Sequence, residues 1–382
     1  MPLTSESYVV RAPGGPITLE TVHYDQIGER EMLVETVAVS VCATDIKAAE
    51  GKFFTKPPMI LGHEGAGIVR QVGARVAGFR PGDKVVLHFS SCSSCEMCSS
   101  GHNAYCDSIT ELNFGCERDG AGAGGDDPAG GAPPVATTAD GLPVKPFFFG
   151  QGSMGRHALV RETSAVKVDA TEEELKLFAS LSCGFMTGAG AVLNVCRPSP
   201  GASFAIFGAG AVGLAAALAA GLCTPARVIV VAPSQEKLDL IPAGVATHTI
   251  FSAGKEPGAV AAEIKALTGG KGVDYVLDCA GHGDVIMEGC RALKTRGMVV
   301  GAGGGPTQAP LSIGQMLIGG LSYRGTHQGD SVPQSFIPCL IRLWRTGSFP
   351  FDKLVSYYKM EDLSQALADL KDKKIIKPVL IA

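Results

Sequence analysis

No stretch of this 382-residue chain is long and apolar enough to suggest a membrane span. Its most apolar run, LAAALAAGL at 214–222, is short and rich in Ala and Gly. The opening MPLTSESYVVRAPGG has no basic segment followed by an apolar one, so no secretory leader is expected and the cytosol is the expected compartment. Charge is scarce: Asp, Glu, Lys and Arg make up 18%, with a net charge of -4 and no block of either sign. That argues against a nucleic-acid stripe and against a polybasic membrane patch. Internal repeats are absent. Twelve Cys in a chain of this length is far below the density of a disulfide scaffold.

What is present points to a soluble enzyme. Hydrophobic residues make up 46%, enough for a sizeable core, and the length suggests two domains. Fifty glycines imply many tight turns or close backbone approaches. Residues 8–40 read as short strands with turns, among them VETVAVSV (34–41). GAGIVRQVGARVAGFRPGDKVVL (65–87) reads as strand, turn, strand. The Gly/Pro/Asp-rich stretch 115–141 reads as a surface loop. From about residue 195 strands alternate with helices: ASFAIFG, a helix, ARVIVVA, a helix near 234–241, THTIF, a helix at 258–267, DYVLDCAG, a helix at 284–293 and GMVVGAGG. Such alternation predicts a doubly wound parallel sheet. Beyond about 325 the pattern is a helix (332–346), a strand, a helix (361–372) and the strand KPVLIA.

The segment GAGAVG, residues 208–213, fits G-x-G-x-x-G directly after a strand and at the start of a helix. Gly208 permits the tight turn, Gly210 lets a pyrophosphate approach, and Gly213 lets helix and strand pack closely; the helix N-terminus then faces the phosphates. The next strand ends at Ala232-Pro233-Ser234, without the carboxylate that would grip the ribose of NAD. Ser234 and Lys237 supply a donor and a positive charge there, so NADP(H) is expected over NAD(H).

Cys92, Cys95, Cys98 and Cys106 stand at C-x2-C-x2-C-x7-C inside an 88–110 lobe. Three readings compete: a disulfide cluster, a chemically active metal site and a structural one. Reduced thiols in the expected compartment weaken the first. Four protein ligands close a tetrahedral zinc and leave no open position, so the structural reading is preferred. Cys42, His63 and Cys183, taken singly, read as core cysteines and a satisfied histidine, and nothing in their spacing links them.

The motifs VCATD (41–45), GHEGAG (62–67), the four-cysteine lobe, CGFMTG (183–188) and GAGAVG (208–213), in this order, resemble the zinc-dependent medium-chain alcohol dehydrogenases over nearly the whole chain. FFFGQGSMGRHALV (147–160) is most similar to their aryl-alcohol branch. The resemblance implies an α/β fold, a GroES-like β-barrel catalytic domain plus a Rossmann domain. The catalytic part would be residues 1–190, completed by 326–382, with the nucleotide domain at 191–325. It implies a catalytic zinc on Cys42, His63 and Cys183, with Glu64 beside it, Asp45 orienting His63, and Thr44 taking the alcohol proton. With the lobe, that makes two zinc ions per chain. Thr187 and Val212 would lie against the nicotinamide, and Lys377 beside the cofactor phosphates.

Departures are Ala43, where family members often carry a basic residue, and Lys47, where the proton relay often ends in His. His88 falls where an aromatic pocket wall is common. The expected activity is hydride transfer between NADP(H) or NAD(H) and a primary or secondary, aromatic or bulky alcohol or aldehyde. A homodimer or homotetramer is expected, with no nucleic-acid or membrane partner. Rivals are a double-bond reductase on the same fold, which would lack the Cys42/His63/Cys183 set, and a silent nucleotide-binding protein. A zinc-ribbon nucleic-acid binder would need basic residues at 88–106, where there are none.

Overall fold

A computed structural model describes residues 3–118, 134–304 and 308–382. The first part of the chain supplies β1 (Leu3–Val10), β2 (Ile17–Tyr24), β3 (Glu31–Ser40), β4 (Met59–Ile60), β5 (Gly65–Val72), β6 (Lys84–Leu87), β7 (Ala136–Thr138), β8 (His157–Arg161) and β9 (Ala165–Lys167). Helices α1 (Ala43–Ala49), α2 (Glu96–Ser99), α3 (Glu172–Phe178) and α4 (Gly184–Gly190) fall between or after them. The second part supplies β10 (Ser203–Phe207), β11 (Arg227–Ala232), β12 (His248–Phe251), β13 (Val273–Asp278), β14 (Leu293–Gly301) and β15 (Ser322–Gly325). Its helices are α5 (Ala211–Gly221), α6 (Gln235–Asp239), α7 (Ala259–Leu267), α8 (Gly283–Ala292) and α9 (Ile313–Gly319). The chain closes with α10 (Pro333–Arg345), β16 (Val355–Lys359), α11 (Leu363–Lys371) and β17 (Lys377–Ile381).

Strands β10–β15 form one six-stranded sheet in the order β12-β11-β10-β13-β14-β15, with every pairing parallel. That is the doubly wound order 3-2-1-4-5-6, whose direction reverses between β10 and β13, where ligands lodge beyond the strand ends. The other strands form a four-stranded sheet, β4-β1-β2-β7, and a seven-stranded one, β16-β17-β3-β5-β6-β9, with β8 also on β3. β17 returns from the end of the chain to pair antiparallel with β3, which brings residue 377 beside the 41–64 region. This is the GroES-like arrangement joined to a Rossmann sheet that the sequence leads one to expect.

Within the 115–141 stretch, Ala136–Thr138 pairs with β2 as an edge strand rather than remaining loop; residues 119–133 of that stretch lie outside the described ones. α4 is a second unexpected element. Its sequence, GFMTGAG, is poor in helix formers, yet every residue in it is buried. A Cβ on Gly188 would stand 2.0 Å from Val212 O of α5, so the two helices touch backbone to backbone. Close packing outweighs the roughly 1 kcal/mol that each interior glycine costs a helix. One apolar cluster runs through this contact, from Val39, Val41 and Leu61 past Phe178 and Met186 to Leu214 and Ala216; the other face of the parallel sheet has its own core around Ile229, Val231, Ile264 and Val276.

Candidate active site

The four lobe cysteines converge. Their sulfurs lie within 4.8 Å of one another. Cys95 caps α2 and its sulfur accepts the Cys98 amide, while Cys92 Sγ accepts the amides of Ser94 at 3.5 Å and Cys95 at 3.3 Å. Cys92 N–H in turn donates to Cys106 Sγ at 3.2 Å. Donated N–H and O–H groups stabilise thiolate; the amide and hydroxyl of Ser94 first of all draw the Cys92 pKa down to about 6. The Sγ–Sγ separations of 3.9 Å (Cys92–Cys98) and 4.0 Å (Cys95–Cys106) are far from a disulfide. They fit the edge of about 3.8 Å that a tetrahedron with metal–sulfur bonds of about 2.3 Å requires. The residues fit a closed metal site.

Cys42, His63 and Cys183, unlinked in sequence, also meet: with Glu64, their ligand atoms lie within 4.8 Å of one another. Cys42 caps α1, Cys183 caps α4, and His63-Glu64 form the turn that enters β5. Asp45, buried in the first turn of α1, holds the arrangement. It accepts Cys42 N–H at 3.0 Å, Gly62 N–H at 3.1 Å and the His63 ring at Nδ1, 3.0 Å. Nδ1 therefore carries the proton, and Nε2 faces the cluster. It is buried and, among the described residues, has no hydrogen-bond partner. A buried imidazole lone pair between two sulfurs is what a metal ligand looks like.

The electrostatics agree. Cys42 is held well below its ordinary thiol pKa, chiefly by a hydrogen bond with Cys183, which is raised correspondingly. Burial pushes Glu64 up to about 7 in spite of Lys377. Burial alone would lower His63, but Asp45 and the Cys42 sulfur carry it well above its usual value. Each anionic group presses for positive charge, which a dication would supply.

Other expected residues take varied places. Thr44 Oγ1 is 3.7 Å from Cys42 Sγ. Lys47 is exposed, and its Nζ reaches 3.5 Å from Gly304 O of the nucleotide half. Thr187 lies one turn beyond Cys183, its amide donating to the Cys183 carbonyl at 2.7 Å. Gly208 has φ +111, open only to glycine, and a Cβ on Gly213 would fall 1.8 Å from Gly208 O. Around Gly210 the space is open, and α5 begins there with no side-chain cap, its N–H groups free for phosphate. Val212 is the second residue of that helix.

Ala232 is buried at the end of β11. Ser234 caps α6 by accepting Lys237 N–H at 3.2 Å and donates to Glu236 at 2.6 Å, while Lys237 Nζ donates to Ile375 O. Lys377 is buried, with Nζ 2.7 Å from one oxygen of Glu64 and 2.6 Å from the other. His88 is buried, with Nδ1 2.7 Å from its neighbour's carbonyl, Phe89 O.

Sequence reasoning misses two glutamines and an aromatic line. Gln151 bridges the carbonyls of His63 (2.9 Å) and His88 (3.1 Å) and accepts Gly65 N–H and Ser153 Oγ–H, so it clamps the His63 turn. Gln328 approaches Cys183 and Thr187. Phe149, held at φ +54, lies 4.7 Å from the His63 ring, with Phe114, Phe53 and the exposed Phe54 continuing outward. The FFFGQG run in the sequence was the available signal.

The alcohol dehydrogenase GroES-like domain family matches residues 28–170, and the zinc-binding dehydrogenase family matches 211–345. Geraniol dehydrogenase of Castellaniella defragrans is 37% identical over 381 residues, 99% of this chain and 98% of that protein. A zinc-binding-domain alcohol dehydrogenase from Burkholderia ambifaria superposes with TM-score 0.89 at 39% identity, covering 100% of this chain and 99% of that one. Benzyl alcohol dehydrogenase of Acinetobacter calcoaceticus gives 0.88 at 34%, covering 100% of both. Zinc and a nicotinamide cofactor are typical of this family, and these relatives are named for small-molecule alcohols. With these matches resting on this geometry, the chain belongs to the zinc-dependent medium-chain alcohol dehydrogenases, in their aryl-alcohol branch.

Proposed function

We propose that the protein is an NADP(H)-preferring dehydrogenase and reductase for aromatic or bulky apolar alcohols and aldehydes. It would hold a catalytic zinc on Cys42, His63 and Cys183 and a structural zinc on Cys92, Cys95, Cys98 and Cys106. The observation that carries this reading is the orphaned, buried His63 Nε2 among two sulfurs and a carboxylate. When bound, zinc supplies Lewis-acid polarisation of the substrate oxygen, and the nicotinamide supplies the hydride acceptor.

The chain's own residues do the rest. Asp45 fixes the His63 tautomer. Thr44 would receive the alcohol proton as it gives its own hydroxyl proton to water, which carries it outward past the exposed Lys47. Lys377 balances Glu64 so that the pocket's negative charge stays bounded. The open amides of α5 and the turn at Gly208–Gly213 cradle the phosphates, with Thr187 and Val212 at the nicotinamide. Ala232 itself offers a 2′-phosphate no repelling carboxylate, and Ser234 and Lys237 would reach it by leaving their present partners, Glu236 and Ile375 O. The line Phe149–Phe114–Phe53–Phe54 supports a flat or bulky apolar substrate, consistent with relatives named for geraniol and benzyl alcohol.

We assign the catalytic unit to 1–190 with 326–382 and the nucleotide unit to 191–325, following which sheet each strand joins. The outer edge of β15 and the exposed Ile313, Leu317 and Ile318 of α9 support a two-fold oligomer.

The test mixes zinc-replete protein with NADPH or NADH and a panel of aromatic and aliphatic aldehydes, following loss of reduced-nicotinamide absorbance. Turnover with NADPH well above NADH is expected. Ala232→Asp should reverse that preference by about tenfold or more, one carboxylate against one phosphate. Turnover with NADH alone sinks the cofactor assignment. Cofactor binding without turnover on any alcohol or aldehyde sinks the proposed substrate class.

A further inference from the structure

Residues 328–330 are a run of left-handed backbone near the site. Gln328, Gly329 and Asp330 have φ of 53, 65 and 50 in succession, and two of the three are not glycine. A left-handed non-glycine residue persists only where its surroundings over-determine it, and such places cluster at functional sites. Here the anchors come from two sides. From the four-cysteine lobe, Tyr105 O–H donates to Asp330 Oδ1 at 2.6 Å, and Ala104 O lies 2.8 Å from His327 Nδ1. Thr326 Oγ1–H and Arg324 also donate to Asp330, each at 2.6 Å. From the helix that carries Cys183, α4, Gly329 presses so closely that a Cβ on it would stand 2.7 Å from Gly190 Cα and Thr187 O. Asn194 donates to Gly329 O at 2.9 Å.

The outcome is one buried side chain. Gln328 is 6% exposed, and its amide meets two groups: Thr187 Oγ1–H donates to Oε1 at 3.4 Å, and Nε2–H donates to Cys183 Sγ at 4.0 Å. The orientation follows from chemistry. A sulfur that binds a metal is a thiolate and only accepts, so towards a ligated Cys183 the amide must turn its nitrogen to sulfur and its oxygen to the hydroxyl.

We propose that Gln328 is a positioning residue for the catalytic centre, holding the Cys183 sulfur by an N–H contact, and that the four-cysteine lobe secures it there through Tyr105 and Asp330. The lobe then bears on the reaction without touching substrate. An N–H donated to a ligand sulfur withdraws electron density from it and restrains its direction, as outer partners of metal ligands do. The proposal rests on reading Cys42, His63 and Cys183 as metal ligands.

The test loads the full-length protein with cobalt(II) and follows the sulfur-to-metal charge-transfer bands, with Cys183→Ser marking which band belongs to the catalytic centre. Gln328→Met keeps the volume and removes the N–H, so a residue that only fills space would tolerate it. The expected result is a shift of the catalytic band to lower energy, an unchanged lobe band, and loss of the catalytic ion to a chelator about tenfold faster. A Gln328→Met protein with wild-type band and release rate overturns the proposal while leaving the ligand assignment intact. A wild-type protein whose spectrum Cys183→Ser does not alter overturns the ligand assignment, and this proposal with it.

Discussion

The two cysteine clusters use the same ligand chemistry for opposite ends. The lobe draws all four sulfurs from residues 92–106 and surrounds them with backbone N–H donors of the same short segment. The proposed active site would draw its ligands from residues 42, 63 and 183, which the fold brings together with charged side chains from elsewhere: Asp45, Glu64 and Lys377. A closed tetrathiolate shapes a loop. A site of two sulfurs and one imidazole, flanked by a carboxylate that burial has raised to about 7, would, on the proposed reading, keep a position for substrate. A local metal site tolerates loss of its surroundings, whereas a dispersed one needs the whole fold to exist.

The sharpest way to break this comparison is to remove one sulfur from each cluster. Cys183→Ser is expected to lower kcat/KM by at least about a thousandfold, the several kcal/mol a Lewis acid contributes. Its unfolding midpoint should move by less than about 3 °C. Cys106→Ser is expected to show the opposite balance: activity within about tenfold of wild type, and a midpoint lower by about 4–6 °C for about 3 kcal/mol lost. Equal loss of activity and stability in both variants would erase the distinction.

The buried pair behind the site comes next. Lys377→Met leaves the Glu64 carboxylate buried without its cation and should cost about 3–5 kcal/mol in denaturant unfolding. The double change with Glu64→Gln should recover most of that, as removal of both charges restores balance. Additive losses would mean that the pair is not coupled.

The smallest effect is expected at His88, beside the lobe but outside either cluster. Burial lowers its pKa from 6.5 to about 4. The unfolded chain therefore takes the proton first, so the stability His88 contributes is complete above pH 6.5 and is lost as pH falls towards 4. Between pH 6.5 and 5.5 the loss should be about 1 kcal/mol. Unfolding curves of His88→Gln should lack that share of the slope, and identical slopes would remove His88 from the account.

Much of the architecture was legible because it is written locally. The alternation from residue 203 onward marks the parallel sheet, and GAGAVG marks its phosphate turn, since the strand, the glycine that needs φ +111 and the helix start are contiguous. The lobe is legible for the same reason. Illegible elements are those whose stability is not local. α4 has three glycines and forms because α5 fits against Gly184 and Gly188 and the turn at Gly329 fits against Gly190. α9 and β15 have solvent-facing side chains, so no apolar period announces them. α3 did carry a local signal, the Thr171/Glu174 capping box.

The sequence by itself therefore determined the glycine turn between β10 and α5, the meeting of four sulfurs in one short loop and, through the order of its motifs, the family. Only the tertiary structure decided that Cys42, His63 and Cys183 share one pocket, that Lys377 meets Glu64, and that Gln328 reaches Cys183. The physical reason is distance along the chain. A turn or a cysteine loop gains its energy from neighbours a few residues away, whereas a buried charge or a dispersed ligand gains it from partners that meet only after β17 has paired with β3 and α4 has packed on α5.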